Sequence, residues 1–317
     1  MQWSKTPFGK AILWTIITVE LLFVSVVIGL WAFPGVAPPI FAVVGGSVCP
    51  VADLFGCIRF RTTYFEEIEH IRKKTKLIKT DPEGFELWET PHGSWWVPAR
   101  SGGSLPSLLA QQIADFYGDG AHTVQPGDIA LDGGAHIGLW VREALDRGAK
   151  TVVAIEPAPA NVECLRRNLS NEIHQGRVVV YPKGIWDVPD ELPLWEDPDN
   201  SAADGFLLRN EDSEVHHVIP LVPIDQLVQE LNLDRVDVIK MDIKGAVERA
   251  LQGAQSTLLQ DHPKLIIAAD EQEADNPIRI KNLVEQLAPG YELTCVGCQV
   301  LHDWSISPDV MLMGYSH

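Results

Sequence analysis

Acids and glycines are spaced in this chain as a nucleoside-bearing cofactor would require. In "DIALDGGAHIGLWVREAL" an apolar run leads into Asp132, Gly133, Gly134, Ala135, His136, Ile137 and Gly138, and an amphipathic pattern follows at once. Adjacent glycines permit close backbone approach, and the start of the next helix offers free amides. In an open α/β sheet, ligands sit beyond the carboxyl end of such a strand. The spacing is not the G-x-G-x-x-G of dinucleotide sites, and Asp132 stands where a phosphate would be repelled. A carboxylate there suits a cationic or hydroxyl-bearing ligand. Glu156 ends the next strand, 24 residues on, where an acid can accept both hydroxyls of a ribose. Read together, the two acids describe a nucleoside cofactor without a pyrophosphate, and S-adenosylmethionine meets that description. The competing reading of Glu156 is the start of a turn before Pro157.

The elements that must position these residues follow a regular grammar from 128 to 317. Apolar runs "DIALDGG", "TVVAIEP", "RVVVYPKGI", "VDVIKMDI" and "PKLIIAAD" alternate with helical stretches "GLWVREALDRG", "PANVECLRRNLSN" and "AVERALQGAQSTLLQ". This alternation predicts an α/β fold, a doubly wound, mostly parallel sheet covered on both faces. "YELTCVGCQV" and "DVMLMGYS" are expected to close it as an antiparallel pair. Upstream, within 81–127, "FELWETPHGSWWVPA" reads as a hairpin and "SLPSLLAQQIADFYG" as a helix capped by Ser104 or Ser107.

The stretches "PGDIALDGGAHIG", "VVAIEPAPANVECLRRNL", "GIWD" and "VDVIKMDIKGA...ALQGA" resemble the FkbM-type methyltransferases, over roughly residues 105 to 270. That family has the Rossmann-like class I S-adenosylmethionine-dependent fold. The resemblance implies a cofactor loop at Asp132, Gly134 and Gly138, ribose at Glu156, adenine near Asp187, and a methyl acceptor beside Asp242. One departure stands out. The family's common form after the fourth-strand aspartate is Asp-x-Glu-Gly-x-Glu, whereas here the positions read Asp242, Lys244, Gly245 and Val247. A lysine beside Asp242 suits an ion pair or an anionic substrate better than proton abstraction. Asp270, Glu271 and Glu273 are alternative acids. His216 and His217 read as surface or packing residues.

The first 80 residues differ in character. They carry a net +4, against −22 for the remainder of a chain whose total is −18, which argues against a nucleic-acid partner for the main domain. After a short tail at 1–10, residues 11–33 form an apolar run broken only by Glu20, about 34 Å of helix and enough to span a bilayer. A signal peptide would need a shorter apolar region and a better cleavage site. Glu20 calls for a polar partner, in another chain if the span is single. Lys5 and Lys10 place the N-terminus in the cytoplasm and the large domain outside, unless 34–58 dips back as a hairpin. An apolar juxtamembrane segment at 34–61 and a basic amphipathic stalk helix at 62–80 are expected to follow, the latter from Tyr64, Phe65, Ile68, Ile71 and Ile78. Five cysteines are too few for a disulfide scaffold. An outside location favours the close pairs Cys49 with Cys57 and Cys295 with Cys298.

Two functional readings follow. One is a membrane-anchored methyltransferase that acts on a small-molecule, glycan or lipid hydroxyl, with Asp242 and Lys244 at the reacting centre. The other is a methyltransferase-like domain kept as a non-catalytic subunit of a larger membrane complex, such as a photosynthetic reaction centre or a respiratory assembly. The missing glutamates, the outside placement and Glu20 motivate the second.

Overall fold

The computed structural model describes residues 48–50, 53–118, 120–207, 213–269, 276–300 and 306–316. The apolar run at 11–33, Glu20, and the acids Asp270, Glu271 and Glu273 lie outside the described residues. Among the described residues no helix is long and apolar enough to cross a membrane.

A seven-stranded sheet forms the centre. Its parallel strands are β4 (Ile129–Gly133), β5 (Thr151–Ile155), β6 (Val178–Tyr181), β10 (Val238–Met241) and β11 (Lys264–Ala268), and β12 (Tyr291–Val300) and β13 (Ile306–Tyr315) complete it antiparallel in the order β12-β13-β11-β10-β4-β5-β6. This is the expected mostly parallel class I arrangement. Strand order reverses between β4 and β10. The strands read as continuous apolar runs because helices cover both faces. Leu131, Val153, Ile155, Ile239, Met241, Leu265 and Ile267 face one core, and Ala130, Val152, Ala154, Val238 and Ile266 alternate with them into the other. Each large side chain so buried contributes about 1.5–3 kcal/mol.

Two features depart from expectation. The helix predicted at 62–80 is instead α1 (Leu54–Lys74), and Lys76–Thr80 form strand β1, paired antiparallel with β2 (Glu86–Thr90), which pairs in turn with β3 (Gly93–Val97). A neighbouring strand satisfies the backbone of 76–80, an outcome local periodicity does not register. Nor does α1 stand apart as a stalk. Ile71 is fully buried with Trp95, Val97 and Leu105, and the Tyr64 hydroxyl meets Ser107 Oγ at 2.6 Å on α2 (Leu105–Ile113). Ser104 occupies the cap position of α2, but its hydroxyl bonds the Ser101 carbonyl instead of a helix amide.

The cysteines also pair otherwise than expected. Cys295 on β12 is bonded to Cys49, 246 residues away, and not to Cys298. Asp53 Oδ2 accepts from Cys295 N at 2.9 Å beside it. Chain ends remote in sequence meet because β12 is an edge strand on which α1 lies.

The β2–β3 hairpin is fixed to the core through α4 (Pro159–Asn168). Asn168 accepts from Trp96 N at 2.7 Å and donates to the Trp96 and Ile137 carbonyls at 2.9 Å each, so one amide serves as a strand partner. A small second sheet, β7 (Gly184–Ile185), β9 (Glu214–Val222) and β8 (Asp190–Glu196), projects after β6.

Candidate functional site

The reversal of strand order opens a crevice at the carboxyl ends of β4, β5 and β10. The turn after β4 is pinned from several sides. Gly134 N and Ala135 N both donate to Ile155 O at 3.0 Å, and Asp242 N donates to Gly133 O at 3.0 Å. Gly134 has φ +75°, and a Cβ there would lie 2.1 Å from the Asp242 carbonyl oxygen, so no other residue fits. Gly138 precedes α3 (Leu139–Asp146), and a Cβ there would meet Leu169 at 2.7 Å. Its requirement is helix packing rather than ligand approach.

Glu156 locks the turn from above. Its buried carboxylate accepts from His136 N at 2.7 Å, Ala158 N at 2.9 Å and Asn161 Nδ2 at 3.3 Å. Burial pushes its pKa up against these bonds. A carboxylate can accept about four hydrogen bonds, so one direction remains for a ligand hydroxyl.

Lys240 locks the turn from below. It is 2% exposed, and its Nζ lies 2.9 Å from Asp132 Oδ1 and donates to Gly134 O at 3.0 Å. Register explains the meeting, since Lys240 and Asp132 are direct partners across β10 and β4. Neither Asp132 oxygen receives an aligned hydrogen bond among the described residues, so the contact is a charge pair. Burial raises the Asp132 pKa against the pull of Lys240.

Asp242 sits at the mouth of the crevice. Oδ1 accepts from Lys244 Nζ at 2.7 Å and Oδ2 from the Tyr117 hydroxyl at 3.0 Å. Burial would raise its pKa, but the charges of Lys244 and Lys240 and these two bonds hold it well below the usual carboxylate range. It is built to hold a charge and accept hydrogen bonds, not to store a proton near neutrality. His136 is held in the left-handed region at φ 49°, with Nε2 2.8 Å from Ser201 Oγ. Burial and then the Lys240 charge lower its pKa to about 4, leaving it neutral at pH 7.

These groups line a cavity of about 100 Å³, bounded by Gly134, Ala135, His136, Glu156, Lys240 and Asp242, with Trp140, Ile185 and Phe206 as apolar walls. Small-molecule sites usually measure roughly 300–1,000 Å³. The stretch 201–206 from the second sheet covers the opening, held where Ser201 O accepts from Asn161 Nδ2 at 3.2 Å and Ser201 N donates to Ser101 Oγ at 3.1 Å. The polar groups fit an adenosine-bearing sulfonium. Its volume requires 201–206 to draw back. Asp204 on this stretch has its pKa raised by burial to about 8.

Of the residues chosen from sequence, Gly134, Ala135, His136, Glu156, Asp242 and Lys244 border this cavity. Asp132 and Gly133 lie beneath it, Asp132 committed to Lys240 instead of a ligand. Asp187 does not border it; its carboxylate is held by Arg249 Nη1 at 2.6 Å, which corrects its placement near an adenine. His216 and His217 lie away from it, paired with Glu214 and Glu196 on the second sheet. Lys240, Tyr117, Asn161 and Ser201 were not anticipated. A lone lysine inside the apolar run "VDVIKMDI" was the one available signal.

Residues 132–287 match the family model of the methyltransferase FkbM domain. Among solved structures the chain is similar to methyltransferase FkbM from Methylobacillus flagellatus KT, at 18% identity over 81% of this chain and 59% of that one, with a TM-score of 0.43. It is similar also to precorrin-6y C5,15-methyltransferase from Geobacter metallireducens GS-15, at 13% identity over 61% and 81%, TM-score 0.36. A third is magnesium protoporphyrin IX methyltransferase from Synechocystis PCC 6803 with bound SAM, at 12% identity over 68% and 79%, TM-score 0.37. The chain thus spans 59% of the length of the FkbM structure. No curated protein matches it.

Proposed function

We propose that the FkbM methyltransferase domain carried by this chain transfers a methyl group from S-adenosylmethionine to an acceptor hydroxyl. When bound, the cofactor supplies a methyl carbon activated by a sulfonium. Everything else is orientation and charge placement by the chain's own groups. Glu156 takes one ribose hydroxyl in its remaining acceptor direction. The turn at Gly134 and Ala135 gives the cofactor its floor. Asp242, fixed by Lys244 and Tyr117, accepts the hydrogen of the acceptor hydroxyl and aims its oxygen; being strongly acidic, it passes the proton on to water.

The observation that carries this reading is the turn clamped between Glu156 and Lys240 at the strand-order reversal. Calorimetric titration of the full chain in mild detergent with S-adenosylmethionine tests it. Saturable binding is expected, weakened more than about tenfold by Glu156→Gln, which puts an amide donor among N–H groups. A wild type that shows no binding near millimolar concentration overturns the reading.

In the same proposal, residues 11–33 anchor the chain with its N-terminus in the cytoplasm and its domain outside. The non-catalytic reading is favoured by one observation, the bond between Cys49 and Cys295. Disulfides persist in oxidising compartments, where a cytoplasmic methyl donor is not normally supplied. Under it, the protein leaves the membrane within a larger assembly held in part through Glu20, and the calorimetric signal is absent.

A further inference from the structure

A second cavity, about 330 Å³, lies against the first, and both are bordered by Gln111, Asp242 and Lys244. Its two sides differ in chemistry. One is aromatic, made by Phe60, Tyr64 and Phe65 of α1 and by Phe116 just beyond α2. Their rings form a continuous surface, with centroids 5.4 Å apart for Phe60 and Phe116, 5.8 Å for Phe60 and Tyr64, and 5.3 Å for Tyr64 and Phe65. Phe65 is 61% exposed, an unusual state for so large an apolar side chain, and it stands at the rim. The other side is polar, formed by Asp242 and Lys244 beyond β10 and by Asp309 of β13.

This pairing of walls narrows the acceptor. A hydrocarbon chain would strip water from Asp242, Lys244 and Asp309 without replacing its hydrogen bonds. An anion would meet two carboxylates against one ammonium, in a chain of net charge −18. A neutral sugar ring satisfies both sides at once. Its C–H face rests on the electron-rich faces of the rings, and its hydroxyls donate to carboxylates. The volume is near the lower end for small-molecule sites, suited to one sugar unit rather than an extended polymer.

We propose that this second cavity is the acceptor site and that the acceptor is a neutral glycoside, seated on the aromatic wall of α1 with one hydroxyl at Asp242. The proposal rests on the methyl-transfer reading above and adds an acceptor class to it. The helix that forms the wall begins twenty residues after the apolar run at 11–33. A free glycoside and the sugar of a membrane-bound glycolipid offer the same chemistry to it.

Saturation-transfer NMR on the full chain in a polyoxyethylene detergent tests the assignment, with methyl β-glucoside, methyl β-galactoside, methyl β-glucuronide and hexyl β-glucoside as probes. Saturation of ring C–H protons is expected for a neutral glycoside and not for the glucuronide. Phe65→Ala, exposed and therefore tolerated by the fold, should weaken that binding about fivefold, the effect of one aromatic contact. Cofactor affinity by calorimetry should stay unchanged. A preference for hexyl over methyl glucoside assigns a glycolipid source, and equal binding a free one. Intact cofactor binding with no neutral glycoside bound, or with equal binding by Phe65→Ala and Phe116→Ala, overturns the acceptor assignment alone. Loss of cofactor binding in the wild type overturns the methyl-transfer reading instead.

Discussion

Replacing Lys240 by Met removes one half of a buried charge pair and leaves the other. Lys240 is 2% exposed and Asp132 0%, and their charged atoms lie 2.9 Å apart. Breaking such a pair from one side costs about 3–5 kcal/mol, since the remaining carboxylate keeps its desolvation penalty without its partner. The lysine also loses its bond to Gly134 O, so the turn that forms the cofactor floor is released from below. For a domain of this size each kcal/mol corresponds to roughly 2–4 °C, so the melting midpoint should fall by about 6–20 °C at pH 7, followed by the fluorescence of the ten tryptophans. The deficit should depend on pH in a fixed direction. Burial already raises the Asp132 pKa in the wild type, and loss of Lys240 raises it further. An acid raised by folding keeps its full contribution below the pKa of the unfolded carboxyl and loses it as pH rises through the folded value. The deficit should therefore shrink toward acid pH and grow toward neutrality. Adding Asp132→Asn should restore most of the loss, because a neutral pair carries no stranded charge. A Lys240→Met midpoint within about 2 °C of wild type, or a double variant no better than the single, would refute the clamp.

The bond between Cys49 and Cys295 should contribute about 2–4 kcal/mol by restricting the unfolded chain, so Cys295→Ser should lower the midpoint of the oxidised protein to that of the reduced one. Non-reducing peptide mapping should recover Cys49 joined to Cys295, and a Cys295–Cys298 peptide would contradict the fold of the N-terminal segment. Asp204, raised to about 8, should stabilise the fold fully below the unfolded carboxyl pKa, lose that contribution as pH rises, and contribute nothing above about 8. Asp204→Asn should accordingly flatten the melting midpoint between pH 5 and 8, and a slope equal to wild type would show that the carboxyl is solvated.

The sequence by itself determined the α/β architecture and the site of the cofactor turn. Both are written in neighbouring residues. Apolar runs such as "TVVAIEP" need cover on both faces, and two glycines between a buried strand and a helix start define a strand end where a ligand can approach. Glu156 was legible for the same reason, as the acid that closes the next strand. What tertiary structure decided is who faces whom. Lys240 reaches Asp132 because β10 and β4 pair in that register, and the same residue one register away would have had another neighbour. Asp187 was drawn to Arg249 on α7 (Val247–Gln252), and Lys76–Thr80 became a strand because β2 was there to pair with it. Cys295 found Cys49 because α1 packs on the edge of the sheet, which also carries Phe60, Tyr64 and Phe65 over the end of β10. Periodicity is set along the chain, within a few residues. Charge pairs, disulfides and cavity walls are set by distances across it, which exist only once the sheet has taken its order.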